Sequence, residues 1–103
     1  MSRLNRLHLA DDNLVVHLRT DHADVPAYVR EHTRDRLARS SRFGVIVEVV
    51  DVVFATERNP RRAADSHRVE VTGRSPGVVV RAEAAGPDWL TAVDACIERW
   101  HER

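Results

Sequence analysis

The sequence predicts an α+β fold. The chain order is β-α-β-β-β-α, folded as a two-layer sandwich with a four-stranded sheet carrying two helices on one face. Three observations predict it. Residues 26–43 and the segment from 87 onward repeat apolar side chains at helical spacing. Four other segments are rich in β-branched residues over strand lengths. A helix between the first two strands makes them parallel through a right-handed crossover, while the two later connections are short enough for antiparallel hairpins. The 103 residues allow one domain with a modest core.

Residues 1–13 are expected to form a flexible N-terminal tail, because Leu4, Leu7 and Leu9 are too few to commit it to an element. The folded domain is expected over 14–103. The first strand is predicted at 14–19, LVVHLR, with 20–25 turning the chain. Pro26 suits the first turn of a helix, where its missing N–H costs nothing, and Asp24 favours the positive end of the dipole. The first helix is predicted over 26–43, with Gly44 ending it. Val25, Val29, Thr33, Leu37 and Ser40 form a thin buried stripe. Arg30, Arg34, Arg39 and Arg42 are expected to fan over the opposite half, with Arg36 at the boundary, its stem on the core and its head in water.

Residues 45–57, VIVEVVDVVFATE, make the strongest strand. Val50, Val52 and Phe54 form one apolar row; Val47, Val49 and Val53 form the other, broken by Asp51. One row faces the helices, and the other is exposed or covered by something else. Residues 58–65 form a polar loop around Asn59-Pro60. The next strand is predicted at 67–72, with Val69 and Val71 inward and Arg68 and Glu70 outward. Residues 73–77, GRSPG, read as a hairpin loop, and 78–84 as the last strand, whose small Ala82 and Ala84 let a helix lie close. The second helix is predicted to open with Gly86 as cap, Pro87 first and Asp88 near the dipole. Its stripe is Trp89, Val93, Cys96, Ile97 and Trp100. The helical pattern still runs where the chain stops at Arg103, as at a cut or an abrupt natural end.

The charge is neutral overall and uneven locally. The chain has 16 arginines, no lysine and 16 carboxylates, yet residues 26–43 hold five arginines against Glu31 and Asp35, a net of +3. Such an anisotropic field steers anionic partners, although a solvated helix face would look the same. Genome composition explains an all-arginine usage without function. Physically, guanidinium groups bind phosphate bidentately and stack on bases, which suits RNA better than an equal number of lysines.

Catalytic constellations are missing from the pattern. His8, His17, His22, His32, His67 and His101 show no ligand spacing, so neither a metal nor another cofactor is expected. Cys96 sits in an apolar stripe and reads as a buried hydrophobe. The four glycines are scattered and form no phosphate loop. Glu31, Asp35, Glu98 and Glu102 are expected to pair with arginines within their helices. For want of any such constellation no enzyme is expected, no small-molecule substrate is expected, and no apolar run is long enough for a bilayer. The N-terminus lacks the apolar stretch of a secretory signal, so a cytoplasmic location is expected.

Four pieces come in a familiar order: REHTRDRLARSSRF at 30–43, VVFATERNPRR at 52–62, HRVEVTGRSPGVVVRAEA at 67–84 and PDWLTAVDACIERW at 87–100. Together they resemble the bacterial ribosome hibernation-promoting factors, also called ribosome-associated translation inhibitors, over residues 14–103. The most specific parts are Asp35-Arg36-Leu37-Ala38-Arg39, the HRVEVT and VRAEA hairpin, and Asp88 followed by Ala92-Val93-Asp94. The resemblance implies a β-α-β-β-β-α fold similar in outline to double-stranded RNA-binding domains. It implies a non-enzymatic protein that occupies the messenger RNA and tRNA channel of the small ribosomal subunit and silences it. By matching position it assigns contacts with the ribosomal RNA backbone to Arg36, Arg39 and Arg42, with Arg30 and Arg34 beside them, and to Arg99 in the second helix, with Arg103 as a further candidate. Long members carry a further C-terminal dimerisation domain, which nothing in this sequence resembles. The sequence departs from the family in its acidic second helix, where Asp88, Asp94, Glu98 and Glu102 stand against Arg99 and Arg103. It departs again at Asp21-His22, where a basic residue is frequent. The alternative function is a protein-interaction module, a homodimer formed through an open apolar sheet face at Val47, Val49 and Val53.

Overall fold

A computed structural model describes residues 15–40, 49–56 and 65–102. The elements run β1 (Val15–Asp21), α1 (Ala27–Ser40), β2 (Val49–Thr56), β3 (His67–Ser75), β4 (Val78–Gly86) and α2 (Trp89–His101). The strands form one sheet in the order β1-β2-β3-β4. β1 pairs parallel with β2, and the other two pairings are antiparallel. The predicted fold class and topology are therefore what the chain adopts. The tail, the end of the first helix at Phe43 and Gly44, residues 45–48 and the loop around Asn59-Pro60 lie outside the described residues.

The period-two pattern of the strands decides which sheet face is covered. Val50, Val52 and Phe54 of β2 are fully buried beneath the helices, joined by Val69 and Val71 of β3 and Ala82 and Ala84 of β4. α1 adds Val29, Thr33 and Leu37, with Val25 just before it. Thr33 is the buried polar residue of this core, and its hydroxyl donates to the Val29 carbonyl at 2.8 Å, so no donor is stranded.

α2 packs on β3 and β4 through Trp89, Ala92, Val93, Cys96, Ile97 and Trp100. The small side chains of β4 allow close approach: Cys96 Sγ reaches the Ala82 carbonyl at 3.4 Å, and Trp100 Nε1 donates to the Val80 carbonyl at 3.0 Å. Trp89 stands edge-on to Phe54, ring centroids 5.6 Å apart, and to His67 at 4.6 Å. Burying a side chain such as Phe54, Leu37 or Ile97 contributes about 1.5–3 kcal/mol each.

Three boundaries differ from the sequence reading. Residues 73–75 belong to β3, where Gly73 pairs with Val50 and Val80. The loop expected over 73–77 contracts to Pro76-Gly77, with Gly77 at φ 78°. Proline first and a left-handed glycine second is the residue pair of a type II turn. Gly86 ends β4 rather than capping α2, and an added Cβ there would lie 3.2 Å from Thr91 Cγ2. The cap is Asp88, in extended conformation, whose Oδ1 accepts from the Thr91 backbone N–H at 2.8 Å. A carboxylate satisfies an orphan N–H that glycine cannot. At the other end the Glu102 N–H bonds the Glu98 and Arg99 carbonyls, closing the helix at His101.

β1 also runs further than expected, to Asp21, and His22 then turns the chain at φ 54°. Left-handed backbone costs a residue with a Cβ about 1–2 kcal/mol. Thr56 Oγ1 donates to the His22 carbonyl at 3.3 Å and ties this turn to the end of β2.

The Asp88 cap has a pH signature. Its bonds to Thr91 hold the carboxyl below the ordinary value of 3.8. A lowered folded-state pKa means that the contribution is complete above that value and disappears as acid takes the pH down through the lowered one. Asp88→Ala is therefore expected to lower the thermal midpoint at neutral pH, with the gap to wild type closing in strong acid. Thermal unfolding across a pH series checks this, and Asp88→Asn, which keeps an acceptor oxygen, is expected to retain most of the neutral-pH stability.

Candidate nucleic-acid interface

α1 turns Val29, Thr33 and Leu37 inward, and this fixes where its arginines emerge. Arg30, Arg34 and Arg39 are exposed and Arg36 lies at the boundary, as expected, but they divide between two sides of the helix. Arg30 and Arg34 leave on the β1 side, where Arg30 Nη1 donates to the Val25 carbonyl at 2.6 Å and Arg34 Nη1 to the Val16 carbonyl at 3.4 Å. Arg36 leaves on the α2 side and donates to Asp94 Oδ1 at 2.8 Å. Glu31 and Asp35, both exposed, lie on the helix surface away from the core. The reason is helical geometry: residues four apart share a side, and six apart they do not.

These arginines fall into two electrostatic classes. Arg30 and Arg34 bond neutral carbonyls, and so does Arg99 of α2, whose Nη1 donates to the Glu83 carbonyl at 2.9 Å. A guanidinium carries five N–H donors, so one carbonyl bond orients it and leaves its charge intact. Arg39 is exposed in the last turn of α1, with no ion pair to a described residue. Arg36, by contrast, is offset by a carboxylate, and its side chain is only 25% exposed. Arg42 and Arg103 lie outside the described residues.

Asp94 is the residue that sequence reasoning missed. Its Oδ1 accepts from Arg36 and also meets His32 Nε2 at 2.8 Å, so one oxygen joins two turns of α1 to α2. These partners are 58 and 62 residues apart, beyond any local pattern. The available signal was the i,i+4 pair His32 and Arg36 on α1, with a carboxylate beside the stripe of the other helix. Glu31, Asp35, Glu98 and Glu102 make no ion pair with a described arginine, contrary to expectation.

The open sheet face mixes charged pairs with valines, and Val15 and Val79 are exposed there in the row of Val49. Val49 and Val53 are half-buried there, and Val47 lies outside the described residues. The register sets Val49 between Val15 and Arg74, and Val53 between Arg19 and Glu70. Around them Asp51 meets His17 at 3.3 Å and Arg74 at 2.8 Å, Arg68 meets Glu83 at 3.1 Å, and Arg81 pairs with Glu70. Cross-strand charge pairs of this kind suit a solvated face.

Cys96 is buried against the sheet, and burial pushes its thiol up to about 12, so it stays protonated near neutrality. Among the described residues no three metal-ligating side chains converge, and no helix is long and apolar enough to cross a membrane.

The split between tethered and neutralised arginines is testable by stability. Arg36→Ala is expected to cost about 1 kcal/mol, a partly exposed ion pair being screened by solvent. Arg39→Ala is expected to stay within about 0.5 kcal/mol of wild type. Urea unfolding of the two variants measures the difference, and equal costs would contradict the assignment of Arg36 to the helix interface.

Comparison with known proteins bears on this surface. The curated ribosome hibernation promotion factor of Mycobacterium tuberculosis is 32% identical over 80 residues, covering 78% of this chain. The matched stretch spans 36% of that relative's length. Two solved structures share the fold. A ribosomal subunit interface protein from Coxiella burnetii superposes with a TM-score of 0.69 at 16% identity, over 84% of this chain and 89% of its own. The N-terminal domain of Thermus thermophilus Protein Y gives 0.67 at 24% identity, over 87% and 92%. Ribosome hibernation promotion factors are non-enzymatic. The family described as sigma 54 modulation protein / S30EA ribosomal protein matches residues 16–103, and the chain belongs to that family.

Proposed function

We propose that this chain is a non-enzymatic regulator of translation that acts on the ribosome, in the cytoplasm. It binds the small subunit through ribosomal RNA and excludes messenger RNA and tRNA by occupying their space. Arg30, Arg34 and Arg39 of α1, with Arg99 of α2, supply the phosphate contacts, and Arg42 and Arg103 extend the set. Arg36 serves the same surface indirectly, by holding α1 on α2.

The observation that carries this reading is the carbonyl tethering of Arg30, Arg34 and Arg99. A guanidinium oriented in advance loses less freedom when it takes a phosphate. Its charge is undiminished, because a carbonyl offers no counter-charge. Family membership and the ribosomal names of the relatives supply the partner. The acidic character of α2, with Asp88, Asp94, Glu98 and Glu102 against Arg99 among the described residues, concentrates phosphate binding on α1.

Changing Arg30, Arg34 and Arg39 together to Glu tests it. Co-sedimentation with purified small subunits is expected to disappear while the thermal midpoint moves by only a few degrees, since all three side chains are exposed. A variant that still sediments with subunits would place the contact elsewhere.

A further inference from the structure

The turn between β1 and α1 presents two exposed rings and one anchored cation, and we propose that it is a stacking platform for an unpaired nucleobase. This rests on the ribosomal reading above and names the part of the RNA that the turn would take. The first ring is His22, 76% exposed and held at φ 54°, where glycine or asparagine would be relaxed. The second is Tyr28 in the first turn of α1, 62% exposed, whereas Phe54, Trp89 and Trp100 are buried in the core. The Tyr28 side chain makes no hydrogen bond or ring contact with a described residue.

The fold maintains this arrangement at a cost. Thr56 Oγ1 holds the His22 carbonyl, and Arg30 Nη1 holds the Val25 carbonyl, so both ends of the turn are pinned. A strained backbone that displays an imidazole to solvent does nothing for packing, and strain of this sort gathers where a side chain must be aimed. The local charge argues for a base rather than phosphate alone. Asp21 lies 3.6 Å from His22, and Asp24 is exposed in the same turn. Two carboxylates repel phosphate and leave a neutral π face unaffected. A base on His22 or Tyr28, with its phosphate reaching toward Arg30, satisfies all three groups. Stacking on aromatic rings is how unpaired RNA bases are bound, and it tolerates any base.

His22→Gly and Tyr28→Ala test the platform. Glycine relaxes the positive φ, so His22→Gly removes the ring without loss of thermal stability. Each substitution is expected to lower affinity for small ribosomal subunits about tenfold. The slope of log affinity against log salt should stay unchanged, because no phosphate contact is lost. Tyr28→Trp is expected to bind like wild type. Unaltered affinity in either ring-removing variant overturns the platform, as does a loss accompanied by a shallower salt slope or a lower thermal midpoint. If wild type ignores subunits but binds single-stranded oligoadenylate with these same dependences, the ribosomal reading falls and the platform stands. If it binds neither, both fall.

Discussion

A four-stranded sheet with only one face to bury sets the terms for everything else in this molecule. Val50, Val52 and Phe54 pack that face with no exposure at all, and both helices must lie on it. The opposite face carries cross-strand ion pairs beside half-buried and exposed valines. α2, with its six buried side chains, is the better anchored helix. α1 offers a narrower stripe in which Thr33 takes an apolar residue's place. The Asp94 bridge makes up part of that deficit, and in doing so it settles which arginines stay available.

The contrast between carbonyl and carboxylate partners is what turns a charge count into a surface. Five arginines in one segment look equivalent in the sequence. In the fold, one is offset by Asp94, two are aimed by backbone oxygens on the β1 side, and Arg39 projects at the helix end. A guanidinium bonded to a carbonyl still attracts phosphate at full strength; one bonded to a carboxylate does so weakly, because both partners would have to part first. The balance of charge on α1 is therefore less uniform, and more directional, than its composition.

The elements were legible because their periods are clean. Val69 and Val71 alternate with charged residues, and Trp89, Val93, Cys96, Ile97 and Trp100 repeat on a helix, so existence, type and burial followed directly. The boundaries were less legible, because turn chemistry misled. Gly73 looks like loop and sits in β3, and Gly86-Pro87 looks like a helix start, although only the Asp88 carboxylate can accept from Thr91. The site was half legible. Arginine enrichment on α1 is plain in the sequence, and the family pattern points to it. The pairing of Arg36 and His32 with Asp94 depends on two helices meeting across the sheet, and no local signal encodes it. The left-handed His22 was equally hidden, since nothing in TDHADVP singles out one residue for positive φ.

The proposed ribosome binding through exposed arginines has one direct thermodynamic signature. The affinity of the wild-type chain for purified small subunits, measured by co-sedimentation across a salt series, should fall linearly on a log–log scale. With about four to six phosphates neutralised, the slope is about −3 to −5. A flat salt dependence would contradict it, because an apolar or shape-driven contact releases no counterions.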